Sequence, residues 1–338
     1  MLGAYGRKDF DIVLKQREDI PLTAHMVRLR VAACGVCGTD LHFLRDMDDY
    51  TPMGHEISAR VEETGPEVTR VRRGDWVICE DVSPCGACSA CKTGRTRLCR
   101  NGLNLGGQPG MSDILVVHEN LLNVFEGIDP VTASMTEPLT VAIRGVRKLR
   151  LAPLSSLVIF GMGAIGLFSA AYARFAGAGR IAMVARNPHS LRNRAAAGAA
   201  AALGVDEIHY TRTEGFMEGL LRDGPFDAAI VDAAPAAVPT AMQAVGYGGN
   251  VLTQGVTFAP GKGIVSLDVS DMVFNKKQLL TSLAEPAENF PLSLELIRTG
   301  RIDVSRVITH RLSLENVSGL KALYAQDSPA VKTVITMA

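Results

Sequence analysis

Between Cys34 and Glu56 the chain gathers a thiol at Cys37, a hydroxyl at Thr39, imidazoles at His42 and His55, and a carboxylate at Glu56. Thiolate, imidazole and carboxylate are the donors that hold a catalytic Zn²⁺ with one position left for substrate. A lone Cys or His more often fills a core, so these residues carry weight only as a set. A second set follows: Cys85, Cys88, Cys91 and Cys99 form a Cys-x2-Cys-x2-Cys-x7-Cys run among Gly86, Gly94 and Gly102. Four thiolates in a loop too small for a core fit a closed tetrahedral zinc site, which has no room for substrate and serves folding. Iron–sulfur clusters use comparable runs, but this setting favours structural zinc.

A third set is Gly161-Met162-Gly163-Ala164-Ile165-Gly166, between an apolar strand at Leu157 to Phe160 and an apolar helix expected from Leu167 to about Ala176. In that context the glycines form a dinucleotide-binding turn: one makes the bend, one admits the pyrophosphate and one lets helix pack on strand. The phosphates then face a helix N-terminus. Thr136-Glu137-Pro138-Leu139 stands alone. Ser134-x-x-Glu137 has the spacing of a capping box, but the residue before a proline avoids the α region and Pro prefers the first helical position. The expectation is a helix from Pro138 to about Leu149 with Glu137 just ahead of it, its side chain free to reach into a cleft.

These groups need a scaffold. With 338 residues the chain fits two domains, and 47% hydrophobic with 21% charged residues is ordinary for a globular protein. Lys plus Arg equals Asp plus Glu at 35 each, which argues against a nucleic-acid or anionic-membrane partner. Met1 to Ile20 carries charges throughout and no apolar run is long enough to span a bilayer, so a cytoplasmic protein is expected. The seven cysteines all fall between Cys34 and Cys99, a count and clustering that favour metal over disulfides. Cys34-Gly-Val-Cys37 has the C-x-x-C spacing of a redox motif, but that role would compete with zinc at Cys37, and Cys34 and Cys79 fit as buried small hydrophobes. The first third has short strands punctuated by Gly and Pro. From Leu157 strands and helices alternate, with strands at Arg180 to Ala185, Glu207 to Tyr210, Phe226 to Val231 and Asn250 to Val256. Ala-rich helices lie between them at about Leu191 to Leu203 and Val238 to Val245. That is a doubly wound parallel sheet joined to a β-rich domain, an α/β fold.

Taken together, Cys37-Gly-Thr39-Asp-Leu-His42, Gly54-His55-Glu56, the four-Cys lobe, Glu137-Pro138-Leu139 and Gly161 to Gly166 resemble the zinc-dependent medium-chain alcohol dehydrogenases over nearly the whole chain. Glu137-Pro-Leu is similar to the polyol and threonine dehydrogenase branch. The resemblance implies a GroES-like catalytic domain (1–138, with 285–338 returning to it) and a Rossmann domain (139–284). It also implies a homodimer or homotetramer.

In such enzymes Cys37 and His55 would bind the catalytic zinc, with Glu56 or Glu137, or both in alternation, beside them. Thr39 would take the substrate proton and His42 pass it on. The acidic residue that would bind the ribose 2′-hydroxyl of NAD is replaced by Ala185, followed by Arg186 and Asn187. A guanidinium without a carboxylate attracts a 2′-phosphate, so NADP(H) is expected over NAD(H). The chain departs from the family at Ala59 and Pro235, where glycine is usual, and in the short span between His42 and His55. That shorter span implies a more open substrate mouth. The expected reaction is hydride exchange between the nicotinamide and a small-molecule secondary alcohol or ketone, such as a sugar, polyol, cyclitol or related natural-product alcohol. The alternatives are an L-threonine or amino-alcohol dehydrogenase and, in another class, a zinc-bearing binding protein.

Overall fold

A computed structural model of the chain describes residues 1–283 and 288–337. The chain divides into two compact units, Met1–Thr140 with Ala284–Gln326 and Lys332–Ala338, and Val141–Leu283 with Asp327–Val331. The first division falls within two residues of the expected 138/139 boundary; the expected 284/285 boundary lies outside the described residues. Sequence alone gave no sign that Asp327–Val331 belongs with the second unit. Among the described residues no helix is long and apolar enough to cross a membrane.

The first unit is built on the strand Met26–Gly35, which pairs antiparallel with Glu56–Thr64, Ile114–His118 and Lys332–Thr336. Side chains alternate across a strand, so Val27, Leu29, Val31 and Ala33 are buried while Arg30 is exposed. The strand ends where Val36 N donates to Thr333 O at 2.9 Å. This pairing carries the C-terminal strand, and Lys332 with it, alongside the residue before Cys37. Cys37 then caps the helix Gly38–Asp46, whose Leu41 and Leu44 face inward one turn apart. Asp40 in the first turn suits the positive end of that helix.

The second unit carries a six-stranded, fully parallel sheet in the order Glu207–Tyr210, Arg180–Ala185, Ser156–Phe160, Phe226–Val231, Val245–Thr253, Gln278–Thr281. Numbered along the chain this is 3-2-1-4-5-6, the doubly wound order whose ligand site lies at the carboxyl ends of the first and fourth strands. Leu157 to Phe160 is apolar throughout because such a strand is covered on both faces.

Several details differ from the sequence reading, among them the fifth sheet strand, which runs Val245–Thr253 rather than Asn250 to Val256. The helix after the glycine turn runs Ala164–Phe175, so the turn's last residues form its first turn. The sixth strand, Gln278–Thr281, was not foreseen; it is short, follows two lysines and lies at the sheet edge. Glu137 does not precede a helix but lies in the first turn of Thr136–Leu149. Pro138 is tolerated there because amides of a first turn have no helical acceptor in any case. Ser134 forms no capping box, its hydroxyl donating instead to Val131 O at 2.7 Å.

Candidate active site

Cys37, His55 and Glu56 come together: one donor atom from each lies within 4.8 Å of the other two. The framework that holds them is Asp40, fully buried, whose carboxylate accepts from Cys37 N and from Gly54 N, each at 2.8 Å. One carboxylate therefore ties the loop bearing Cys37 to the loop bearing His55. Thr39 Oγ1 lies 3.7 Å from Cys37 Sγ. His42, three residues on and so on the same helix face, is partly exposed, with Nδ1 3.4 Å from Asp46.

Glu56 is buried and clasped. Lys332 Nζ stands 2.5 Å from each of its oxygens and donates to Val36 O at 2.8 Å, with both side chains almost wholly out of solvent. Gly35 makes room for this pair, since a Cβ there would meet Glu56 Oε2 at 1.8 Å. Burial works to lower the Lys332 pKa, but the charges of Glu56 and Cys37 outweigh it and the net shift is upward.

Glu137 lies outside the three-residue cluster but within its field. Burial pushes its pKa up to about 8 against the pull of His55. Burial should also strip the proton from His55, yet Cys37, Asp40 and Glu137 together hold it there, well above the usual imidazole range. That surplus of negative charge around one imidazole is what a divalent cation would neutralise. A thiolate, an imidazole and carboxylate oxygens at this spacing fit Zn²⁺.

The Cys lobe meets a stricter geometric test. A tetrahedral site with Zn–S bonds of about 2.3 Å requires sulfurs roughly 3.8 Å apart. Cys85–Cys99, Cys88–Cys91, Cys88–Cys99 and Cys85–Cys91 are separated by 3.5, 3.6, 3.9 and 4.0 Å. Cys99 Sγ accepts from Cys85 N and Cys85 Sγ from Cys88 N, each at 3.4 Å. Amides of Ala87 and Cys88 pull the Cys85 thiol down to about 6, toward the thiolate a metal needs. Cys34 and Cys79, by contrast, are fully buried, and burial drives both thiols upward.

In the second unit a cavity of about 630 Å³ opens at the ends of the first and fourth sheet strands, lined by Gly161, Gly163, Ala185, Arg186, Thr211 and Asp232 among others. A Cβ on Gly166 would stand 2.1 Å from Gly161 O, so the third glycine is required for the helix to pack on the turn. Ala164 and Ile165 form that helix's first turn. Asn187 closes a tight turn after the second strand, its Oδ1 accepting from His189 N at 3.0 Å. Pro235 opens a single 3-10 turn, and Ala59 is a buried member of the Glu56–Thr64 strand.

Residues 23–126 match the alcohol dehydrogenase GroES-like domain family and residues 164–299 the zinc-binding dehydrogenase family. The chain is 30% identical to L-threonine 3-dehydrogenase of Bacillus velezensis, across 91% of this chain and 90% of that one. The chain belongs to the zinc-dependent medium-chain alcohol dehydrogenase family. As a member it is an oxidoreductase. Sorbitol dehydrogenase of Bacillus subtilis is 28% identical across 86% of this chain and 83% of its own. A Thermus alcohol dehydrogenase structure superposes with a TM-score of 0.89 at 24% identity, covering 100% of both chains. The polyol and threonine branch of the family thus supplies its relatives.

Two residues now stand in the site that sequence reasoning had given no role, Asp40 and Lys332. Asp40 lay unread inside the Cys37 to His42 motif, while the only signal for Lys332 was a charge within the apolar run Ala330 to Ile335.

Proposed function

We propose that the protein is a zinc-dependent, NADP(H)-preferring dehydrogenase that interconverts a secondary alcohol and its ketone, with a sugar, polyol, cyclitol or related natural-product alcohol as substrate. The observation that carries the reading is the convergence of Cys37, His55 and Glu56 on one point, braced by Asp40. Cys37 and His55 hold the catalytic zinc. Lys332 hydrogen-bonds Glu56 Oε1 and pairs with the carboxylate, whereas the buried Oε2 accepts no hydrogen bond, so Glu56 or Glu137, or both in alternation, completes the site. Bound here, Zn²⁺ would supply Lewis acidity toward the substrate oxygen and the nicotinamide the hydride acceptor or donor. Thr39, beside Cys37, takes the alcohol proton, and His42, one turn along the same face and in reach of water, releases it. Cys85, Cys88, Cys91 and Cys99 hold a second, structural zinc.

Ala185 and Arg186, at the end of the second sheet strand, support the choice of NADP(H), because no carboxylate stands there to repel a 2′-phosphate. Relatives named for threonine and for sorbitol keep an amino-alcohol substrate as the second reading. We place the enzyme in the cytoplasm, as a homodimer or homotetramer. The edge strand Gln278–Thr281 and the exposed Val273 and Phe274 support self-association; Phe274→Asp should shift the mass seen by light scattering toward monomer.

The deciding experiment is NADP reduction across a panel of sugars, polyols, cyclitols and L-threonine, before and after chelation. Turnover that survives both chelation and Cys37→Ser rejects the mechanism, and a clear preference for NAD rejects the cofactor assignment.

A further inference from the structure

The nucleotide cavity holds a second cation besides Arg186. Arg192 is the second residue of the helix Leu191–Ala200 and lines the same cavity. Its Nη2 lies 3.8 Å from the point where a Cβ on Gly163 would stand. Gly163 is the cap of the Ala164–Phe175 helix, the turn over which the nucleotide must pass. The connection between the two arginines is fixed. Asn187 Oδ1 accepts from His189 N at 3.0 Å, and Asn187 O accepts from Asn193 Nδ2 at 2.8 Å. Both guanidinium stems therefore start from a braced turn.

A pyrophosphate at Gly163 already has the first amides of the Ala164–Phe175 helix to hold it. The start of the Leu191–Ala200 helix offers no equivalent. Asp327 takes up Leu191 N at 3.1 Å and Ser190 Oγ at 2.8 Å. An anion arriving at the end of the second strand must accordingly be held by side chains. Among the described residues lining the cavity, Asp232 is the carboxylate, and Gln254 Nε2 engages it at 2.6 Å.

We infer that Arg192 is a specificity-determining residue for the 2′-phosphate, closing on it from the helix while Arg186 closes on it from the strand end. This deepens the proposed NADP(H) preference and rests on it. Two guanidiniums meeting one phosphate give more hydrogen bonds in fixed directions than one arm could.

The test compares two nucleotides that differ only in the 2′-phosphate, 2′,5′-ADP and 5′-AMP, by titration calorimetry on the intact protein. Wild type should bind 2′,5′-ADP at least tenfold more tightly than 5′-AMP. Arg192→Ala should cut that advantage about tenfold while leaving 5′-AMP within twofold, which also shows that the variant is folded. Arg192→Lys should recover part of the loss. An advantage that survives Arg192→Ala overturns this inference alone, as does an equal loss for both nucleotides, which would assign Arg192 to the 5′-phosphate. A wild type indifferent to the 2′-phosphate overturns the NADP(H) reading and this one with it.

Discussion

Replacing Lys332 by Met should separate the stability of the first unit from its hold on metal, with opposite signs. The ammonium donates to Glu56 Oε1 at 2.5 Å and to Val36 O at 2.8 Å and lies 2.5 Å from Glu56 Oε2, and neither side chain of the pair reaches solvent appreciably. Methionine fills similar space but leaves a carboxylate buried without its cation. Breaking a buried pair from one side costs about 3–5 kcal/mol. For a unit of this size that lowers the melting temperature by roughly 10 °C.

The cost should be largest in chelator-treated protein, because a divalent cation beside Cys37 and His55 can take over the work of neutralising Glu56. Lys332→Met should therefore release zinc to a chromogenic chelator more slowly than wild type does, although it melts earlier without metal. Lys332→Met with Glu56→Gln removes both charges and should regain at least half of the lost stability. The measurements are thermal melts with and without chelator, and the rate of zinc release. A loss under about 1 kcal/mol, far below the cost of stranding a buried charge, would refute the reasoning. So would a double variant no more stable than Lys332→Met.

Asp40→Ala removes two charge-assisted bonds of about 1.5–3 kcal/mol each from the loops bearing Cys37 and His55. It should weaken zinc affinity at least tenfold by competition titration, while the Cys85 to Cys99 lobe keeps its metal. Cys91→Ser should lower the zinc content from two ions per chain to one by elemental analysis. A pH effect follows from Asp232, whose pKa burial raises to about 7 against the pull of its Gln254 hydrogen bond. An acid with a raised folded-state pKa binds more protons folded than unfolded, so its contribution to stability declines as pH climbs from about 4 to above 7, by up to about 4 kcal/mol. Asp232→Asn should flatten that decline, raising the melting temperature at pH 8 more than at pH 5; parallel curves for variant and wild type would dismiss it.

What could be read from the sequence was local. The four cysteines lie on one short loop, so their spacing alone brings the sulfurs near a tetrahedron. The glycine turn is a strand, a bend and a helix in one continuous stretch, and its third glycine answers to the backbone of its first within that stretch. Cys37 and His55 could be paired because their motifs are familiar in combination, although no periodicity says that those loops meet. The start of the Thr136–Leu149 helix was missed because a preference of proline for the first position was applied where any first-turn position serves. The edge strand Gln278–Thr281 was missed because four residues of mixed polarity carry no alternation to detect.

Lys332 and Glu56 are 276 residues apart, and what joins them is sheet order rather than anything local. The C-terminal strand pairs antiparallel with Met26–Gly35, which turns into the Cys37 loop. A lysine two residues before Val334, the partner of Gly35, is thereby delivered to the carboxylate beside the candidate metal. The residues next to the chemistry are encoded in motifs because they must share one small space. The charge that disciplines them arrives from the last strand of the sheet, through pairing that a linear pattern does not contain. For the same reason, loss of that strand's pairing should loosen Glu56 before it disturbs Cys37 or His55, whose common brace is Asp40, on the helix that Cys37 caps.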